Sequence, residues 1–279
     1  MSTTLSHVQT PLRPGISFKD LAPQFNAAKP FHHVVIDNFL QDDIARAIAA
    51  EFPEYNGPVW NEYNNAIEVK KAYNHWDKFP PATYRLFNFL NSAAFTAEMA
   101  TLCGAALYSD PGLHGGGWHS HGAGGKLNMH LDYSIHPKIG LERRINLILY
   151  VQPDWKPEWG GALGFWEHDE ANRKPGALAT QIDCLFNRAV IFDTSMNSWH
   201  GLPDPVCCPP GKPRNSLAVY YMCEPREQAS DRGRALFAPT KEQANDRSVL
   251  DLIEKRSHVQ TSGEVYRQNA PADPLEPKK

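Results

Sequence analysis

The run INLILYV at 145–151 constrains the fold more than any other stretch. Ile145, Leu147, Leu149 and Val151 alternate with Asn146, Ile148 and Tyr150, so both faces of an extended segment are largely apolar here. Such a strand must be covered on both sides, which makes it the centre of a sheet rather than its edge. Around it, from about residue 107 onward, short apolar runs are separated by glycine, proline and asparagine, the texture of an antiparallel sandwich or barrel. Strands are expected at 126–133, 145–151, 162–166, 189–192 and 216–222.

The N-terminal third reads differently. Residues 1–29 are polar and proline-punctuated and are expected to be a flexible segment; FHHVVI at 31–36 reads as a short strand. Asp42 or Asp43 can cap a helix whose Ile44, Ala47, Ile48 and Phe52 form one apolar stripe until Pro53 ends it. Tyr84, Leu86, Phe87, Leu90, Phe95, Met99 and Leu102 predict two further helices within 82–102. Between them, residues 55–73 are rich in Asn and Tyr without a period, and read equally as a lid over a substrate or as a surface excursion. The expected organisation is one domain over 30–225, with a helical layer at about 40–102 and a β core at about 107–225. A C-terminal extension, 226–279, carries one helix near 248–256 and a disordered tail, APADPLEPKK.

Composition narrows the function classes. Apolar residues at 42% and aromatic residues at 11% of 279 support a substantial core and exclude collagen-like and wholly disordered chains. With 28 Lys plus Arg against 31 Asp plus Glu, the net charge of −3 disfavours nucleic acid as a partner. No run reaches the roughly 20 apolar residues of a membrane span, and the start lacks the apolar core of a signal peptide, so a cytoplasmic location without membrane attachment is expected. Cys103, Cys184, Cys207, Cys208 and Cys223 are odd in number and show no CxxC, which predicts structural thiols rather than disulfides or a zinc knuckle.

His130 and Asp132 lie two apart in an expected strand and therefore share a face. His200, beyond the strand 189–192, is placed to approach them from a neighbouring strand. Two imidazoles and one carboxylate leave positions open on an ion, an arrangement suited to non-haem Fe(II) that must bind a cosubstrate and oxygen together. Arg214 follows His200 by 14 residues and opens a strand with Ser216 on its own face. A guanidinium fork and a hydroxyl suit a carboxylate.

The order His130-x-Asp132, His200, Arg214-x-Ser216 resembles the Fe(II)/2-oxoglutarate-dependent oxygenases. The stretch NMHLDYSIHPKIGLERRINLILYVQPDWKPEWGGALGFWE is similar to their prolyl-4-hydroxylase-like branch. The resemblance covers about residues 30–225 and is most specific over 127–167. It implies a double-stranded β-helix (jelly-roll) core with N-terminal helices packed on one sheet. It also implies iron held by His130, Asp132 and His200, and 2-oxoglutarate gripped by Arg214 with Ser216. O2 is implied as second cosubstrate, ascorbate as a candidate accessory, and hydroxylation of an unactivated carbon with release of succinate and CO2 as the reaction. Many prolyl hydroxylases carry lysine where Arg214 stands, so peptidyl proline is kept only as the alternative substrate; a small molecule or amino-acid derivative is favoured.

Tyr133, beside Asp132, and Asn146, the lone polar residue of an apolar strand, are further candidate 2-oxoglutarate contacts. His119-Ser120-His121 could mimic a cupin metal pair, but cupins follow it with a glutamate where this chain has Gly125 and Lys126. Its glycine-rich flanks predict a mobile loop. His136, before a proline, reads as a turn residue; His32, His33, His75, His114 and His168 lack informative spacing. A zinc or manganese jelly-roll hydrolase or isomerase, and a non-catalytic binding module, remain alternatives.

Overall fold

The computed structural model describes residues 10–227 and 229–266; the expected tail at 270–279 and the first nine residues lie outside them. In chain order come α1 (Phe18–Ala27), β1 (His33–Ile36), α2 (Asp42–Glu51), β2 (Asn61–Asn64), β3 (Glu68–Tyr73), α3 (Pro81–Leu90), α4 (Ala93–Cys103) and β4 (Tyr108–Ser109). They are followed by β5 (Gly117–His121), β6 (Lys126–Leu127), β7 (His130–Leu131), β8 (Glu142–Tyr150), β9 (Leu163–Asp169) and β10 (Lys174–Ile182). The chain continues through β11 (Ala189–Asp193), β12 (His200–Gly201), β13 (Arg214–Cys223), β14 (Leu236–Phe237), α5 (Arg247–Ser257) and α6 (Val259–Tyr266). One antiparallel sheet runs β1-β11-β8-β13-β5-β3-β2, with β4 on β13 and β6 on β3; the facing sheet runs β10-β9-β12-β7-β14. The expected jelly roll, with helices on one sheet, is thus the fold.

β8 is the central strand that 145–151 predicts, hydrogen-bonded to β11 and β13. Its odd residues Ile145, Leu147 and Leu149 pack with Phe18, Ile48, Leu86, Phe95, Met99 and Leu102 of the helices. Ile148 and Tyr150, on the other face, pack between the sheets with Phe31, Phe165 and Phe192. Helix ends follow local chemistry: Ser92 accepts from the Phe95 amide at 3.2 Å to cap α4, and Gly104 at φ +67° closes it.

Four boundaries differ from expectation. Residues 18–27 are not flexible: α1 is capped by Ser17 and buries Phe18 and Phe25, Phe18 meeting Phe95 edge-on at 5.5 Å. Its polar face misleads because two aromatic anchors suffice to dock a ten-residue helix. The helical layer is interrupted by the hairpin β2–β3, which joins the larger sheet through β5, so 55–73 is mostly neither a free lid nor an excursion. The expected strand 126–133 breaks into β6 and β7, which pair with different sheets. The extension after 225 returns to the core as β14, paired to β7, and ends in two helices rather than one. Among the described residues, no helix is long and apolar enough to cross a membrane.

Candidate active site

β7 and β12 lie side by side, with His200 paired directly to His130 and their rings 4.3 Å apart. Asp132, just past β7, meets both: Oδ1 is 3.8 Å from His130 Nε2 and Oδ2 is 3.7 Å from His200 Nε2. One ligand atom from each residue lies within 4.8 Å of the others. The tautomers are set from behind. His130 Nδ1 donates to the Asn128 carbonyl at 3.0 Å, and His200 Nδ1 to the Ser198 carbonyl at 2.9 Å. Both Nε2 lone pairs therefore remain for an ion, the usual arrangement behind metal-bound histidine.

Charge states agree with that role. Burial, reinforced by His200, pushes His130 down to about 3, and burial likewise lowers His200 against the pull of Asp132, so both rings are neutral at pH 7. Burial opposes ionisation of Asp132, but Arg143 and the two imidazoles outweigh it and hold the carboxyl well below its ordinary range. Arg143 Nη1 lies 3.0 Å from Asp132 Oδ1, and its guanidinium is sandwiched 3.6 and 3.4 Å from the ring centres of Tyr133 and Tyr220. Two neutral nitrogens and one carboxylate oxygen on one side of a point fit a divalent first-row ion with open positions.

Arg214 opens β13, opposite His121 of β5, and Ser216 lies between His119 and Tyr150 in the neighbouring strands. The arginine is buried; Nε donates to the Gly161 carbonyl at 2.6 Å and Nη2 to the Tyr150 hydroxyl at 3.2 Å. Gly161 has φ +70°, and a Cβ there would stand 2.8 Å from Arg214 Cδ, so only glycine lets the side chain lie this close. One cavity of about 290 Å³ has His130, Asp132, His200, Arg214 and Ser216 in its wall.

Tyr133 and Asn146 line the same cavity. Asn146 Nδ2 donates to Asp132 Oδ2 at 3.4 Å, and the Tyr133 hydroxyl donates to the His114 carbonyl at 3.3 Å. His119 and His121 are not in a mobile loop: they belong to β5, held between β13 and β3 with both rings in the cavity wall. Their flanking glycines serve close packing instead; at Gly117, φ +90°, a Cβ would collide with the Tyr73 carbonyl oxygen. His136 is a turn residue, Nδ1 accepting from the Lys138 and Ile139 amides. Sequence reasoning missed Tyr150 and Arg143. Tyr150 carried a signal, standing four residues from Asn146 on one strand face. Arg143 did not: the register shift between Tyr221 and Met222 inserts Arg144 as an extra residue, and this bulge brings Arg143 onto the cavity side.

Residues 116–222 match the 2OG-Fe(II) oxygenase superfamily. The fold is similar to a prolyl-4-hydroxylase from Pseudomonas putida at TM-score 0.52 and 18% identity, over 74% of this chain and 99% of that one. It is similar to a prolyl hydroxylase from Trichoplax adhaerens, solved with a hypoxia inducible factor peptide, at 0.51 and 15% identity, over 74% and 90% of the two chains. The epimerase SnoN of nogalamycin biosynthesis matches at 0.50 and 14% identity, over 80% and 86%. No curated protein sequence matches significantly. Residues 116–222 thus match the 2OG-Fe(II) oxygenase superfamily, and the chain around them has the fold of solved prolyl hydroxylases.

Proposed function

We propose that this protein is an Fe(II)- and 2-oxoglutarate-dependent dioxygenase that hydroxylates an unactivated carbon of a small molecule or amino-acid derivative, with peptidyl proline as the alternative substrate, and with His130, Asp132 and His200 holding Fe(II) and Arg214 and Ser216 anchoring 2-oxoglutarate. The observation that carries the reading is the sharing of one cavity by the three ligand candidates and a buried arginine. When bound, the metal and cosubstrate would supply the oxidising chemistry, in which 2-oxoglutarate, O2 and a substrate C–H bond give succinate, CO2 and a C–OH group. The protein's own part is positional. Arg143 keeps Asp132 anionic, the Asn128 and Ser198 carbonyls keep both imidazoles in the ligating tautomer, and Gly161 with Tyr150 fixes the direction of the Arg214 fork. The surrounding aromatic walls exclude water: Phe237 stacks on His130 at 5.0 Å and Phe192 packs edge-on to His200 at 4.9 Å. The five free thiols support a reducing, cytoplasmic setting.

Anaerobic titration of the Fe(II)-loaded protein with 2-oxoglutarate tests this reading. A weak visible charge-transfer band is expected, absent in His200→Ala. Iron bound without such a band would move the assignment to a hydrolase or a binding module.

A further inference from the structure

The cavity wall holds more positive charge than the iron and 2-oxoglutarate chemistry uses. Lys70, Arg143, Arg214, Arg234 and Arg256 line it, against one lining carboxylate, Asp132. Arg143 is committed to Asp132, and Arg214 faces the cosubstrate end. Lys70 and Arg256 both contact the buried carboxylate of Glu68, at 3.1 and 3.4 Å. Arg234 pairs with no carboxylate among the described residues, and its Nε is buried without a hydrogen-bond partner. A divalent ion and a dianionic cosubstrate cancel one another, so loading the site leaves Arg234 unpaired.

The position of Arg234 is imposed by the segment that carries it. Arg232 Nη2 donates to the Asp132 carbonyl at 2.7 Å, while Leu236 and Phe237 pair with Leu131 and His130. The intervening residues Gly233, Arg234 and Ala235 are thereby stretched along the metal-ligand strand and line the cavity. An unpaired guanidinium in such a wall carries a desolvation cost that a planar oxyanion would offset through two parallel hydrogen bonds. A cavity of about 290 Å³ lies at the small end of ligand pockets, roughly 300–1,000 Å³, and must also take the cosubstrate.

We propose that the substrate is a small organic acid whose carboxylate or phosphate is gripped by Arg234. This rests on the oxygenase reading of the cavity for the word substrate, but the anion site can be tested separately. The full-length protein, loaded with Mn(II) and saturating 2-oxoglutarate, is titrated with butyrate and with inorganic phosphate, and with butyramide and butylamine as neutral and cationic counterparts. Ionic strength is held constant, and binding is read by calorimetry and by the thermal midpoint. At least one anion is expected to bind where the amide and amine do not, the tighter of the two distinguishing carboxylate from phosphate. Arg234→Gln should weaken that anion by about tenfold or more, Arg234→Lys by less, with the 2-oxoglutarate affinity of both variants unchanged. No binding of either anion, equal binding of the amide, or an Arg234→Gln variant that binds like wild type would overturn the proposal. The titration is repeated without 2-oxoglutarate: anion binding that depends on Arg234 in a protein that fails to bind 2-oxoglutarate would sink the oxygenase reading and leave the anion site standing.

Discussion

Arg143→Met removes the guanidinium but keeps most of the volume between the Tyr133 and Tyr220 rings. In the metal-free protein Asp132, about 10% exposed, then loses the cation paired with it at 3.0 Å. Breaking a buried pair on one side typically costs about 3–5 kcal/mol, chiefly because a charge is left uncompensated. The loss of two ring contacts acts in the same direction, so about 4 kcal/mol is expected at pH 7. The pH dependence follows from the lowered Asp132 pKa. A carboxyl depressed in the folded state adds stability above its unfolded pKa of about 3.9, and that stability is lost as pH falls through the folded pKa. The gap between wild type and variant should therefore be full at neutral pH and narrow toward pH 3.5. Urea unfolding with EDTA present, at several pH values, measures it. Adding Asp132→Asn to the variant should recover most of the loss, since no buried charge then remains. A gap under about 1 kcal/mol at pH 7, or one that ignores pH and the second substitution, would refute the reasoning.

Arg214→Ala should raise the Kd for 2-oxoglutarate by a hundredfold or more, from about 3–5 kcal/mol, while leaving Mn(II) affinity unchanged in the absence of cosubstrate. Gly161→Ala should weaken 2-oxoglutarate in the same calorimetric assay without weakening metal, because the added Cβ presses on Arg214 Cδ. The metal-free protein should also lose stability as pH falls below about 6.5. Burial and Lys70 push His119 down to about 3, and burial with Arg214 pushes His121 well below its ordinary value. Each unfolded imidazole then takes a proton that the folded one refuses, worth up to about 1.4 kcal/mol per pH unit. His121→Leu should flatten the urea profile between pH 6.5 and 5, and an unchanged slope would show that His121 is not held neutral.

What could be read from the sequence is what depends on neighbours in the chain. The period-two alternation of Ile145 through Val151 is a local property, and it sufficed to place β8 at the centre with Asn146 and Tyr150 on one face. The spacing His130-x-Asp132 put two donors together for the same reason, and His200 with Arg214 completed a pattern whose residue order carries information. Packing and pairing across long separations carried the rest. α1 looks polar until Phe18 finds Phe95, and β5 looks like a glycine loop until β3 and β13 close on it. The bulge that turns Arg143 toward Asp132 exists only in the register between β8 and β13. Arg234 reaches the cavity only because β14 adds to β7 some hundred residues earlier in the chain. Alternation along a strand is fixed by backbone geometry, whereas which strand lies beside it is decided by the burial and hydrogen bonding of the whole fold. The candidate ligand pattern thus belonged to the sequence, and the charges that surround it to the tertiary structure.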